Sequence, residues 1–249
     1  MGVIVMDTAT DAMAVAAGHL DGTLLSAVTQ RVPRGHSRLL QPSISFVMQS
    51  AGFHPWEVER IGVGVGPGSY TGVRMAVATG KAMAHALQVP LIAVPTLDAI
   101  ALAAGLGVPA PANGAEVSVL VLLFARRHRA FGAWFTVVGG RLASRSEAQV
   151  QSIADWLAQV PAHTSAVPAV LVHDFPPEEL ALVNLSVDLL PLSWGDVSTR
   201  FADALFRLAL RDEYPVFAGE RIHTVLPDYA LPVEAEVKLE LRQKGGERP

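Results

Sequence analysis

The sequence contains no cysteine among its 249 residues. This absence excludes disulfide bonds, thiolate catalysis and the cysteine-based sites that most often hold structural zinc. Long apolar runs are missing as well, because segments such as 117–125 are far shorter than a bilayer span. The net charge of -4 provides no long-range attraction for a polyanion, and the first residues lack the pattern of a secretory signal. We therefore expect a cytoplasmic protein with no membrane partner.

Generic catalytic signatures are also missing. The closely spaced glycines of residues 62–68 match neither a Walker-type phosphate loop nor a dinucleotide fingerprint, and Ser69 lacks the flanking glycines of a nucleophile elbow. None of the 8 histidines lies three or four residues from another, which is the spacing that puts two metal ligands on one helix face. We therefore predict neither a metal site nor a catalytic residue in this chain.

The first part of the chain alternates between segments typical of strands and segments typical of helices. Apolar runs predict the strands, an apolar repeat between Ser37 as cap and Gly52 as stop predicts one helix, and a glycine loop introduces another. In chain order, the segments are strands 3–7, 12–17 and 23–29, helix 37–51, strand 61–65, helix 71–87 and strand 91–94. This order predicts a mixed sheet with helices packed on its faces.

A second unit follows a stretch rich in Gly, Pro and Ala at residues 105–114. Such a stretch is typical of a domain boundary, so we predict two lobes, residues 1–105 and 106–249. In the second lobe, the predicted segments are strand 117–124, a basic turn at 126–129, a strand ending at 138, helix 153–159, strand 170–173 and helix 197–211. The last dozen residues are charged, and we expect them to be frayed. The whole pattern predicts an α/β protein with mixed sheets flanked by helices.

Two short segments have the residue types of a phosphate site. One follows the first predicted strand and offers a carboxylate and two hydroxyls for a phosphate and its Mg²⁺. The other is a glycine loop that opens into a helix, whose free amides and dipole favour an anion. The candidate residues are Asp7, Thr8, Thr10, Gly66, Gly68 and Ser69. The alternative is purely structural: a turn held by its own side-chain hydrogen bonds, and glycines that allow tight strand-to-helix packing.

The helix after the glycine loop carries small residues at every fourth position, flanked by methionines. A stripe of this kind allows another helix to approach closely, and methionine suits an adaptable contact surface. We therefore predict an interface formed by Leu40, Ile44, Val47, Gly72, Met75, Ala76, Thr79, Gly80, Met83 and Ala84. The alternative is that the stripe packs closely against the chain's own sheet.

Several of these segments occur together in one distinctive order. They are Asp7-Thr8-Ala9-Thr10, His36-Ser37 followed by Leu39-Leu40, the loop of residues 66–74 (Gly-Pro-Gly-Ser-Tyr-Thr-Gly-Val-Arg), and Pro95-Thr96-Leu97. In order and spacing, this set resembles the bacterial TsaB family, also called YeaZ. The resemblance extends continuously through the first predicted lobe.

This resemblance implies a fold and a role. The fold is the two-lobed, actin-like class shared by actin, sugar kinases and Hsp70, with RNase H-like lobes. The role is that of a non-catalytic subunit that supports the catalytic subunit TsaD, joined by the ATPase TsaE, in forming threonylcarbamoyladenosine at adenosine 37 of tRNA. The chain would contact tRNA only through that complex and would form a homodimer in isolation through the same helical face. It would need no cofactor alone, although a nucleotide is a possible ligand in the complex.

The second lobe departs from the family pattern. Residues 124–131 read Phe-Ala-Arg-Arg-His-Arg-Ala-Phe, where the family has carboxylates around an Asp-Ala-Arg motif. A glycine-aspartate-glycine turn is replaced by His173-Asp174-Phe175, and a closing Tyr-Leu-Arg becomes Tyr229-Ala230-Leu231. The main rival function is a small-molecule kinase or ATPase of the same fold, which would use the two phosphate segments as a clamp. A peptidase is disfavoured because no nucleophile or activated water is evident.

Overall fold

The computed structural model describes residues 1–31, 35–107, 116–160, 169–183, 185 and 187–229. Within these residues, the strands are β1 (Gly2–Asp7), β2 (Ala12–His19), β3 (Leu24–Arg31), β4 (Val58–Gly64), β5 (Leu91–Val94), β6 (Val117–Phe124), β7 (Arg129–Val138), β8 (Arg141–Arg145), β9 (Gln149–Ser152), β10 (Ala169–His173), β11 (Leu189–Ser193) and β12 (Val216–Phe217). The helices are α1 (His36–Ala51), α2 (Tyr70–Leu87), α3 (Thr96–Gly107), α4 (Ile153–Ala158), α5 (Pro177–Leu180), α6 (Trp194–Val197) and α7 (Phe201–Ala209). Short 3₁₀ helices cover Pro55–Glu57, Ser198–Arg200 and Gly219–Thr224.

The strands form two sheets that share one topology. The first sheet has the order β12-β5-β4-β1-β2-β3, and the second has the order β11-β10-β6-β7-β8, with β9 paired to β7. In each sheet, three strands form an antiparallel meander, and two later strands then extend the sheet in parallel from the first strand of that meander. This repeated topology confirms the predicted fold class, a two-lobed actin-like protein with mixed sheets flanked by helices.

The helices and sheets pack in alternating layers. Helices α1 and α2 cover the outer face of the first sheet, where Ile4 and Val63 are buried beneath them. Helices α3 and α7 lie between the two sheets and share one continuous core with both. Trp156 of α4 packs on the far face of the second sheet. The core is therefore a stack in which the middle helices join the lobes.

The first-lobe elements lie close to their predicted positions. Strand β5 has the predicted bounds, and the Asp21-Gly22 turn is a hairpin in which Gly22 has a φ of 96°. Gly52 ends α1 in the left-handed conformation with a φ of 73°. One detail was wrong: α1 begins at His36, so Ser37 is already helical, and the capping position is Gly35 with no side-chain hydrogen bond. The local signals therefore predicted the elements well and one cap incorrectly.

Helix α3 and the C-terminal return were not predicted. Residues 96–104 are buried on every side of α3, so the helix lacks the polar face that makes a helical period visible. After β11 the chain returns to the first sheet, where α7 packs on its inner face and β12 pairs with β5. Most of the boundary stretch expected at 105–114 and the charged tail lie outside the described residues. In the described part of the chain, no helix is both long and apolar enough to cross a membrane.

The small-residue stripe of α2 packs against the chain's own first sheet. Its four members, Gly72, Ala76, Gly80 and Ala84, are buried. A Cβ on Gly80 would lie 2.2 Å from Val63 Cγ1 of β4, so glycine is required for this close approach. The prediction that the stripe contacts a partner helix is therefore wrong in this structure.

The remaining predicted interface residues divide into two groups. Leu40, Ile44 and Val47 of α1 are buried against the same sheet, so they too are unavailable to a partner. Three residues on one flank of α2, Met75, Thr79 and Met83, are half-buried and keep exposed surface. A helical-face contact stays a prediction for this flank only.

Replacement of Gly80 by alanine should lower the stability of the fold. Alanine gains about 1 kcal/mol over glycine in helix propensity, but forcing a methyl group into the Val63 contact costs about 1–3 kcal/mol and can exceed that gain because the Cβ would lie only 2.2 Å from Val63 Cγ1. The melting temperature of Gly80→Ala should therefore fall. Ala78→Leu, on the exposed side of the same helix, is the matched control and should change stability by less than about 0.5 kcal/mol. A higher melting temperature for Gly80→Ala would contradict this packing.

Candidate functional site between the lobes

The Asp7 side chain at the end of β1 is completely buried and fully engaged. Its Oδ1 accepts a hydrogen bond from the Ala9 amide at 2.6 Å, and its Oδ2 accepts one from the Thr96 hydroxyl at 2.7 Å. The Thr96 hydroxyl in turn accepts from the Gly66 amide at 3.0 Å. Burial raises the pKa of the Asp7 carboxyl to about 6, although both hydrogen bonds oppose the shift. Asp7 therefore joins β1 to the glycine loop and to the start of α3.

The two predicted hydroxyls of this segment are also used within the chain. Thr8 is buried, and its hydroxyl donates to the Gly72 carbonyl in the first turn of α2. The Thr10 hydroxyl donates to the Ala12 carbonyl at 3.0 Å and accepts from the Ala12 amide at 3.2 Å, which closes a local turn. Both hydroxyls thus have the structural role that the sequence left as the alternative to phosphate binding.

The glycine loop packs tightly against the end of β1. A Cβ on Gly68 would lie 2.4 Å from the Ala9 carbonyl oxygen, and a Cβ on Gly72 would lie 1.9 Å from the Thr8 carbonyl oxygen. The Ser69 amide donates to the Ala9 carbonyl at 2.6 Å. These contacts require glycine because a side chain at either position would separate the two segments. We call this contact between residues 7–10 and 66–72 the loop clamp.

The loop clamp forms one wall of an open cleft between the two sheets. The cleft has a volume of about 890 Å³. It is lined by Ala9, Thr10, Asp11, His36, Ser37, Gly68, Ser69, Tyr70, Thr71, Gly72, Met75, Leu123, Phe124, Ala125, Arg126, Phe131 and Asp174. Of the six predicted phosphate residues, the structure places Thr10, Gly68 and Ser69 on this wall. Asp7, Thr8 and Gly66 lie behind it.

The second lobe supplies the opposite wall and most of its free charge. Arg126 extends from the turn between β6 and β7, and Asp174 follows β10. The Asp174 side chain reaches solvent in the cleft, yet the surrounding protein raises the pKa of its carboxyl, and the negative charge of Asp11 raises it further. A hydrogen bond from the Phe124 amide to Asp174 Oδ1 at 2.6 Å opposes that shift. Among the described residues, no hydrogen bond or ion pair engages the Arg126 side chain, and the carboxylates of Asp11 and Asp174 line the same cleft.

Comparison with models of protein families identifies the family of this chain. Residues 27–210, more than half of the chain, match the protein-family model described as TsaD, tRNA N6-adenosine threonylcarbamoyltransferase. The chain belongs to the TsaD family, and it is similar to the TsaB proteins of several bacteria. The predicted resemblance to TsaB is thus confirmed.

Individual relatives carry the TsaB name. The chain is 28% identical over 159 residues to the Bacillus subtilis tRNA threonylcarbamoyladenosine biosynthesis protein TsaB, covering 63% of this chain and 65% of that protein. It is 33% identical over 101 residues to the Escherichia coli TsaB, covering 41% and 43%. These alignments span less than two thirds of each relative. The fold matches YeaZ from Pseudomonas aeruginosa with a TM-score of 0.72 at 22% identity, over 92% of this chain and 99% of that one.

Sequence reasoning missed several polar residues of this TsaD-family chain. Asp11 lines the cleft, and its Oδ2 forms an ion pair with Arg31 Nη2 at 2.8 Å. A single aspartate after a turn gives no sequence pattern that would predict this. Asp98 of α3 is buried and accepts hydrogen bonds from Arg145 and Tyr214, and burial raises its pKa despite the arginine. These partners are far apart in sequence, so only the fold reveals them. Within the described residues, no three potential metal ligands cluster.

Exchange of Asp7 for asparagine should remove the part of the pH dependence of stability that comes from the Asp7 carboxyl. The pKa of Asp7 rises from 3.8 to about 6 on folding. The contribution of this carboxyl to the free energy of unfolding is therefore largest below pH 3.8 and is lost as the pH rises to about 6. Two pKa units correspond to a loss of about 3 kcal/mol. Urea unfolding from about pH 4 to 7 should show this fall in the natural chain and a smaller fall in Asp7→Asn, where the raised pKa values of Asp98 and Asp174 still contribute.

The control for this measurement is Asp203→Asn, which changes a carboxylate in an exposed ion pair of α7 with Arg207. It should leave the fall in place. An unchanged pH dependence in Asp7→Asn would show that Asp7 is not the group that titrates.

Proposed function

We propose that this chain is a non-catalytic subunit in the formation of threonylcarbamoyladenosine on tRNA, and that it binds and supports a TsaD subunit. Two relatives named for threonylcarbamoyladenosine biosynthesis and the TsaD family match support the tRNA-modification role. We extend the proposal to TsaE as a third component and to a homodimer when TsaD is absent. All three assemblies are inferences from the family.

The loop clamp is the observation that carries the non-catalytic part of the proposal. A kinase or ATPase of this fold would need the Asp7 carboxylate and the Thr8 hydroxyl free for a phosphate and its metal ion. Here both groups are buried and bonded to the chain itself. Their release would break the contacts that hold the glycine loop against β1. The first lobe is therefore built as a scaffold at the point where an enzyme would bind phosphate.

We propose that TsaD contacts the exposed flank of α2. Met75, Thr79 and Met83 lie on the side of α2 that faces α1, since the segment after β12 covers the other side. On that covered side, Lys81 donates to the His223 carbonyl at 2.9 Å. Both helices pack on the outer face of the first sheet, so the flank belongs to a surface formed by two helices.

A nucleotide-binding role is the second candidate, and the open cleft favours it. Its volume of about 890 Å³ lies within the range of small-molecule sites, about 300–1,000 Å³. The purified chain should nevertheless fail to hydrolyse ATP, because the polar groups of the loop clamp are already engaged. Release of phosphate from ATP by the chain alone, abolished by Ser69→Ala in the cleft wall, would favour the rival kinase or ATPase function.

Replacement of Thr79 by arginine should abolish association with TsaD. The chain is co-expressed with the TsaD of the same organism, and the two are co-purified. Thr79 is half-buried on the α2 flank, so a long charged side chain blocks close helix approach while it can still extend into solvent in the free chain. Size-exclusion chromatography with light scattering measures both the heterodimer and any homodimer.

The matched control is Leu182→Arg, which places the same charge on a side chain that is 72% exposed in the second lobe. It should bind TsaD as the natural chain does. Association of folded Thr79→Arg with TsaD would move the interface elsewhere. Failure of the natural chain to bind TsaD, with or without nucleotide, would overturn the proposed function.

A further inference from the structure

The turn between β6 and β7 has an unusual backbone. Three consecutive residues, Arg126, Arg127 and His128, have positive φ angles of 62°, 53° and 56°. This left-handed conformation is strained for residues with a Cβ. Residues other than glycine, asparagine, aspartate and histidine rarely adopt it, so Arg126 and Arg127 are the unusual members. Strained backbone of this kind tends to persist where the side chains have a function. We call residues 126–128 the basic tip.

The opposite end of β7 shows how the same chain makes an unstrained turn. There, Gly139 and Gly140 connect β7 to β8 with φ angles of 55° and 72°. The two turns use similar backbone conformations, but only one uses the residue that adopts them freely. The Arg-Arg-His sequence of the basic tip is therefore not explained by the needs of the backbone.

The basic tip is fixed in place, yet it presents cationic side chains to solvent. The Ala125 amide donates to the Arg129 carbonyl at 2.9 Å, and His128 Nδ1 lies 2.8 Å from Glu179 Oε2. Arg126 is exposed and borders the cleft. Within the described residues, no hydrogen bond or ion pair engages its side chain. Arg126 is therefore an exposed cation on a rigid support, at the rim of a cleft that Asp11 and Asp174 also line.

We propose that the basic tip binds the phosphodiester backbone of an RNA. An arginine guanidinium matches the geometry of a phosphate, and an exposed arginine at the rim of the cleft can be reached by the backbone of a polymer that does not enter the cleft. The choice of tRNA as that RNA rests on the proposed function. The contact is expected to be weak for the chain alone, because the rest of its charge is acidic, and to add to tRNA binding once TsaD is present.

The test compares Arg126→Gly with the natural full-length chain. Glycine removes one charge and relieves the left-handed strain at the same position. The melting temperature should therefore stay equal or rise, while affinity for a fluorescently labelled tRNA transcript should fall several-fold. Binding is measured by anisotropy from about 25 to about 150 mM KCl, where loss of one phosphate contact should reduce the slope of log affinity against log salt by about one.

Two further variants separate a phosphate contact from a general charge effect. Arg126→Lys keeps the charge and should keep the salt slope. Arg141→Ala removes one exposed cation at the opposite end of β7 and should leave the affinity unchanged. The inference is overturned if Arg126→Gly binds tRNA like the natural chain, or if Arg141→Ala weakens binding equally. It is also overturned if the Arg126-dependent contact is made with polyglutamate and not with tRNA, since the partner would then be an acidic protein.

These results are independent of the TsaD association measurement, because they use the chain alone. If Arg126→Gly weakens tRNA binding but the natural chain never binds TsaD, the RNA contact is supported and the proposed subunit role is refuted. If the natural chain binds TsaD but its tRNA binding does not depend on Arg126, the subunit role is supported and the RNA contact is refuted.

Discussion

The close contact between the end of β1 and the glycine loop determines the arrangement of the first lobe. Gly68 and Gly72 let the carbonyl oxygens of residues 8 and 9 approach where a Cβ would collide. The buried Asp7 carboxylate adds a bond through Thr96 to the start of α3. Because α2 begins in this contact and α3 is tied to it, the position of both helices depends on it. So does the wall of the cleft, which the same residues form.

This dependence is compatible with the proposed role of the chain as a supporting subunit. Polar groups in a buried site need hydrogen-bond partners, and in this lobe the chain itself supplies them. In the first lobe, the carboxylate and hydroxyl nearest the glycine loop are paired in this way. In a phosphate-binding enzyme, such glycines would let a ligand approach the backbone. Here Gly68 and Gly72 let the end of β1 approach the glycine loop. One sequence motif can therefore serve either purpose, and only the geometry distinguishes them.

The sequence predicted what is encoded locally and failed where burial comes from distant segments. Turn residues and apolar runs correctly predicted β5 and the hairpin at Gly22, because the residues that determine these elements lie within a few positions of each other. Helix α3 escaped prediction since both lobes and α7 bury it, which erases its helical period. The stripe at Gly80 was misread for a related reason. Small residues permit close approach, but whether the neighbour is a partner helix or Val63 of the same chain depends on the tertiary fold.

The two walls of the cleft differ in a way that bears on which anion it can accept. Behind the first-lobe wall, the Asp7 carboxylate and the Thr8 hydroxyl are satisfied within the chain. The second-lobe wall presents Arg126, whose side chain has no hydrogen bond or ion pair among the described residues. Asp11 and Asp174 lie nearby, and the raised pKa of Asp174 reflects enclosure and the charge of Asp11. A triphosphate carries several charges that these carboxylates would repel unless a cation intervened. An RNA backbone bound at the basic tip, as proposed, would contact Arg126 at the edge of the cleft without having to enter it.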